Sequence, residues 1–366
     1  MKLLIRFLFL FGFLFSFSCK TEIDEDSNSS IKEKKEANIP ENIIFMVGDG
    51  MGLTQITAGM IGNNNELNLE EFKHIGLIKT GSTSGLITDS AAGATAFSTG
   101  KKTYNGAIGV DNDTTSVETI LEIAGNGKYA TGIIATSSIT HATPASFYAH
   151  QPSRSMDEAI AMDMLSAPVD FFVGGGKDFF SKREDDLNLL DSLSGKGFRI
   201  YDDVNSISGP FEGKIAAFIA AKQPESILEG RNDLLPRATK KALHYFSDKE
   251  NFFLLIEGSQ IDWAGHDNDS GGIIAEMIDF DVAIGKVLEF AKMDGNTLVI
   301  ITADHETGGY SILGGDAKGN IEGAFSTDYH TGTMIPVFAY GPGAENFNGI
   351  YENNDIFDKI LKLLKR

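Results

Sequence analysis

The chain has 366 residues, 42% of them apolar and 22% charged, enough for one large folded domain or two of ordinary size. Acidic residues outnumber basic ones by 51 to 31, a formal charge of −20, which argues against a nucleic-acid binder and against general electrostatic capture of anions. A single cysteine excludes an intrachain disulfide and a zinc site built on thiolates.

In chain order, residues 1–18 carry Lys2 and Arg6, an apolar run from Phe7 to Phe15, then small residues. That is a signal-peptide layout, too short for a comfortable permanent span. Cys19 follows directly, as in a bacterial lipoprotein signal. A lipid anchor on Cys19 is therefore expected, holding the protein in the envelope on a periplasmic or cell-surface face. Ordinary secretion is the alternative, because Phe17 is bulky for that pattern. Residues 19–41 are rich in Lys, Glu, Asp, Ser and Asn and read as a tether, leaving 42–366 as the folded domain.

Short apolar runs follow at Ile43–Val47, Gly76–Lys79, Thr131–Ala135, Phe252–Ile256, Leu298–Ile301 and Pro336–Ala339. Between them lie helical patterns at Val117–Ala124, Asp157–Leu165, Pro236–Phe246 and Gly271–Lys292, and a last helix over Asp355–Leu364. Continuous apolar strands alternating with helices predict an α/β fold with a mostly parallel central sheet covered on both faces. No internal repeat or second-domain boundary is visible.

In such a sheet, ligands bind beyond the carboxyl ends of the strands. There the sequence places Asp49, then Glu257 with Asp262 and His266, then Asp304 and His305. Asp262 and His266 are four apart, so both can face one ion on a helical turn. Asp304 and His305 are adjacent, which suits convergence in an irregular loop. Singly, a strand-end Asp is more often a turn or cap; jointly, carboxylates and imidazoles favour a divalent-metal site. The run Thr88–Ala96 contains Asp89 and Ser90 before small residues, as at a helix start. Either residue caps that helix, or Ser90 is a nucleophile at its positive end; spacing alone leaves both open. No Gly-x-Ser-x-Gly elbow exists, which disfavours a Ser-His-Asp hydrolase.

These stretches, with Thr143–Arg154, Phe172–Phe179 and His330–Gly343, together resemble the alkaline phosphatase family from Asn42 to about Gly343. The resemblance implies two Zn2+ ions, one on Asp262, His266 and His330 and one on Asp49, Asp304 and His305 beside Ser90. It also implies a third ion, usually Mg2+, on Asp49, Thr143 and Glu257. Arg154 would grip two phosphate oxygens through its planar fork. Three divalent ions would bring about +6 to an acidic chain. The implied reaction is hydrolysis of phosphate monoesters through a phosphoserine on Ser90. Two positions depart from the best-known bacterial pattern: His141 replaces an Asp near the third ion, and Trp263 replaces a Lys. An imidazole there favours zinc or cobalt over magnesium. The stretch between Glu306 and Tyr329, where some relatives carry an insertion, is short, so a homodimer without an elaborate crown is expected. The alternatives are a phosphodiesterase or sulfatase of the same superfamily, which usually lack partners such as Thr143 and Glu257, or a non-catalytic metal-binding surface lipoprotein.

Overall fold

The computed structural model describes residues 39–208, 212–316 and 319–364. The expected signal peptide, Cys19 and most of the tether lie outside them. The chain joins the folded body at Ile39. Pro40 is buried and the Glu41 N–H donates to the Asn296 carbonyl (2.9 Å), so residues 39–41, expected in the tether, belong to the body. Among the described residues no helix is long and apolar enough to cross a membrane.

Ten strands form one sheet: β1 (Asn42–Gly48), β2 (His74–Lys79), β3 (Ala130–Ser138), β4 (Phe171–Gly175), β5 (Phe198–Tyr201), β6 (Lys214–Phe218), β7 (Phe252–Gly258), β8 (Thr297–Thr302), β13 (Ile335–Tyr340) and β14 (Gly349–Glu352). Two short pairs lie outside it: β10 (Ser311–Gly315) with β11 (Ile321–Ala324), and β9 (Glu306–Thr307) with β12 (His330–Thr331). The sheet order is β14-β2-β13-β8-β1-β7-β3-β4-β6-β5. Every neighbouring pair is parallel except those of β13, which runs against both β2 and β8. The sheet is therefore the mostly parallel one that the apolar runs predict.

Strands β1, β7 and β8 are buried at every position, which is why their sequences are continuous apolar runs rather than alternating ones. Val47 pairs with Glu257 on one side and with Thr302 on the other. The three strands thus end level, and the polar residues after them emerge side by side at the centre of one sheet edge. Helices at Ile120–Asn126, Leu234–Phe246 and Ser270–Asp294 pack on the sheet, and a further helix at Asp157–Asp163 packs on the short helix Lys177–Ser181. The first starts three residues later than its periodicity predicts, because Thr119 and Glu122 form a reciprocal cap: the Glu122 N–H donates to Thr119 Oγ1 (3.1 Å) and the Thr119 N–H to Glu122 Oε2 (2.8 Å).

Candidate active site

The helix Ser90–Thr99 begins at the same edge, and Asp89 is its cap: Asp89 Oδ1 accepts from the Ala92 N–H (3.0 Å). Ser90 is the first helical residue, does not cap, and is buried. The small residues after it allow a close approach to the loop behind β8. A Cβ on Gly93 would lie 3.0 Å from the Asp304 Cβ, so any side chain there would press on the Asp304 loop. Ser90 Oγ instead faces Asp49 Oδ1 at 3.4 Å and His305 Nε2 at 3.3 Å. Asp89 thus fills the cap, which leaves the Ser90 hydroxyl facing a carboxylate and an imidazole.

Asp262, His266 and His330 meet although His330 lies on β12, far along the chain. Asp262 and His266 sit on one face of the helical turn Gln260–His266, as their spacing predicts. Asp262 Oδ2 lies 3.4 Å from His266 Nε2, and Asp262 Oδ1 lies 3.5 Å from His330 Nε2. The Nδ1 atoms of His266 and His330 donate to the backbone carbonyls of Asp328 (2.6 Å) and Thr88 (2.8 Å). A carbonyl only accepts, so both Nδ1 atoms carry protons and both Nε2 atoms turn toward Asp262, 3.1 Å from each other. Two neutral imidazoles would then oppose lone pairs; a shared proton or a cation must lie between them. The hydrogen bond to Asp262 raises His266 to about 9. Burial opposes ionisation of Asp262, yet the hydrogen bond from His266 and the charges of His305 and His330 hold it well below the usual carboxylate range. Imidazoles that commit one nitrogen to a carbonyl and aim the other at a carboxylate have the layout of metal ligands.

A second group lies beside Ser90. The Nε2 of fully buried His305 is 3.2 Å from Asp304 Oδ2 and 3.5 Å from Asp49 Oδ1. The His305 ring also stacks on His330 at a centroid distance of 3.5 Å, so this histidine adjoins both groups. Burial and the charges of Asp304, Asp262 and Glu257 raise Asp49 well above the ordinary carboxylate range. Burial and the Asp262 charge push Asp304 up to about 7.

The third group joins Asp49 to Glu257 and His141, each offering an atom within 4.8 Å of the others. Glu257 Oε2 accepts from Ser259 Oγ (2.6 Å) and Ser137 Oγ (3.2 Å), and burial pushes Glu257 up to about 7. Thr143 lies two residues after His141 on the short helix Ala142–Ala145. Asp49 Oδ2, Glu257 Oε1, Asp304 Oδ2, His141 Nδ1 and Thr143 Oγ1 are all buried without a hydrogen-bond partner among the described residues. Three buried carboxylates with orphaned oxygens are expensive unless cations occupy the spaces between them. The donor set, oxygen and imidazole nitrogen, therefore fits divalent ions.

Arg154 reaches the cluster from the loop after that short helix. Its NH1 donates to Asp89 Oδ2 (3.1 Å) and its NH2 lies 3.3 Å from His141 Nε2. Burial and the neighbouring guanidinium lower His141 to about 3, so the imidazole is neutral. Trp263 packs edge-on against His141 at 5.8 Å. These groups line a cavity of about 250 Å³, together with Ser90, Asp262, His266, His330 and Tyr329.

Sequence reasoning did not identify the supports: Thr307, whose hydroxyl donates to Asp262; Ser137 and Ser259, which hold Glu257; and Tyr329. The signal for Thr307 was its place directly after Asp304-His305-Glu306, where a hydroxyl can serve the adjoining carboxylates.

The described geometry has close counterparts. The family model for alkaline phosphatase matches residues 40–324. Alkaline phosphatase 3 of Bacillus subtilis is 34% identical, covering 92% of each chain. The solved alkaline phosphatase of the Antarctic bacterium TAB5 is 48% identical, with a TM-score of 0.85 over 89% of this chain and 98% of that one. A TAB5 variant with a histidine replaced by glutamate, with Mg bound in its M3 site, matches at 48% identity and a TM-score of 0.84, over 89% and 98% of the two chains.

Proposed function

The chain belongs to the metal-dependent alkaline phosphatase family and hydrolyses phosphate monoesters, and from that premise we propose that Ser90 is the nucleophile, passing through a phosphoserine. The observation that carries the proposal is the place of Ser90 Oγ: buried, free of the capping role, and within 3.4 Å of Asp49 and His305. Ser90 Oγ attacks phosphorus in line, the ester oxygen leaves with the P–O bond pair, and water later cleaves the Ser–O–P bond from the vacated side. Two inversions give net retention.

We assign Asp262, His266 and His330 to one zinc and Asp49, Asp304 and His305 to a second. Asp49, Glu257, Thr143 and His141 form the third site. Bound divalent ions neutralise charge on the transferring phosphoryl group and lower the pKa of a coordinated hydroxyl. Arg154, pre-oriented by Asp89, offers its fork to two nonbridging oxygens. The test is acid quenching during turnover of p-nitrophenyl phosphate followed by peptide mass spectrometry. Phosphate is expected on the peptide containing Ser90; phosphate on a different residue would overturn the assignment.

Arg154→Ala is expected to weaken inhibition by inorganic phosphate by roughly 10- to 100-fold, the scale of a lost charge-assisted hydrogen bond. Zinc content should stay unchanged, because no zinc site includes Arg154. Loss of zinc in this variant would contradict the placement.

At the third site, imidazole is a poor partner for magnesium, which demands oxygen ligands and dehydrates reluctantly. The TAB5 variant that holds Mg in its M3 site replaces a histidine by a carboxylate, which supports the same reading for His141. The double change His141→Asp with Trp263→Lys should raise magnesium retained after gel filtration toward one ion per chain and tighten phosphate inhibition. Unchanged magnesium and unchanged inhibition would mean these two side chains do not reach the site.

A further inference from the structure

Nine residues line the 250 Å³ cavity, and the proposed phosphate chemistry uses or positions seven of them. The two left over are both aromatic, Trp263 and Tyr329. Tyr329 is 46% exposed, whereas the other eight lining residues are buried or partly buried. Its backbone is fixed on both sides: its carbonyl accepts from the Gly308 N–H (2.9 Å) and its N–H donates to Thr327 Oγ1 (3.1 Å). Its ring lies parallel to the His330 imidazole, 4.5 Å away and tilted by only 5°. The ring therefore stands at the mouth in a set orientation. Its hydroxyl makes no hydrogen bond among the described residues, so the ring itself is what the site presents. Trp263, packed against His141, adds a second aromatic surface to the same cavity.

The charge around the mouth matters as much. Among the described residues lining the cavity, Arg154 is the one cationic side chain besides the histidines, and its fork is committed to the phosphate. Asp267 and Asp328, next to His266 and Tyr329, are exposed. A leaving group carrying further phosphates or carboxylates would meet these acidic neighbours. A flat, uncharged leaving group would meet aromatic faces, which bind planar rings by stacking.

Building on the phosphomonoesterase reading, we propose that Tyr329, with Trp263, forms a leaving-group subsite that selects monoesters of planar, uncharged aromatic alcohols. Tyr329 is then a specificity-determining residue of this chain.

Non-hydrolysable phosphonates test it on the metal-loaded enzyme by titration calorimetry, with inorganic phosphate as reference. Phenylphosphonate should bind more tightly than methylphosphonate to the unmodified protein. Tyr329→Ala and Tyr329→Leu should each lower that ratio by roughly three- to tenfold, the scale of one aromatic contact, whereas Tyr329→Phe should preserve it. If phenylphosphonate has no advantage, or both non-aromatic variants keep it, the subsite does not exist. If they weaken both phosphonates and inorganic phosphate equally, Tyr329 merely positions His330 and the proposal fails. Failure of the underlying reading looks different: inorganic phosphate itself would not bind the cavity.

Discussion

Ser90→Ala is expected to lower turnover of p-nitrophenyl phosphate by about 10³-fold or more, the scale seen when a covalent nucleophile is removed. Thermal stability should hardly move. The hydroxyl caps nothing, since Asp89 accepts from the Ala92 N–H, and alanine is the best helix former for the first turn. The only groups that lose a neighbour are Asp49 and His305, at 3.4 and 3.3 Å. Zinc content should be retained, because three protein side chains remain for each proposed zinc. The pairing of outcomes is what discriminates. A structural role would lower stability and activity together; a nucleophile loses activity alone. Near-native turnover in Ser90→Ala would remove Ser90 from the chemistry.

The physical reason this site was legible in part lies in where its residues come from. Asp49, Glu257, Asp304 and His305 follow strands buried on both faces, and such strands announce themselves as uninterrupted apolar runs. Asp262 and His266 share a helical turn, so their spacing carried the contact. His330 sits on the two-residue strand β12 and Arg154 on a loop; both reach the site from distant parts of the chain, no local period marks them, and the family resemblance alone singled them out. Tyr329 had neither signal, and Thr307 had only its place directly after Asp304-His305-Glu306. The same holds for the fold. The edge strand β5 and its neighbour β6 escaped notice because Phe198–Tyr201 is only four residues long and half exposed, while β6 offers only four apolar residues after Lys214. Beyond Glu306 the chain forms the small β10–β11 hairpin, whose alternating exposure is set by cover on one side only.

Metal removal should have the largest effect on the fold, and its pH dependence has a definite sign. Without ions, Glu257 and Asp304 titrate at about 7 in the folded protein, above their unfolded values, and Asp49 is raised in the same direction. The fold therefore prefers these groups protonated, and it loses stability as pH rises and they ionise. His266 is raised to about 9, so its contribution is complete below its unfolded pKa near 6.5 and disappears as pH climbs through 9. Burial lowers His305 and His330; they act with opposite sign, but only below about 6.5. Above that pH every remaining term weakens the metal-free protein. Divalent ions reverse the situation, because ionised carboxylates and deprotonated imidazoles are the forms that ligate. The difference in Tm between loaded and EDTA-treated protein should therefore be larger at pH 9.5 than at pH 6.5, by roughly 5 °C or more for a domain of this size. Differential scanning calorimetry at the two pH values measures it. An equal difference at both would mean that the clustered carboxylates are not what the ions neutralise.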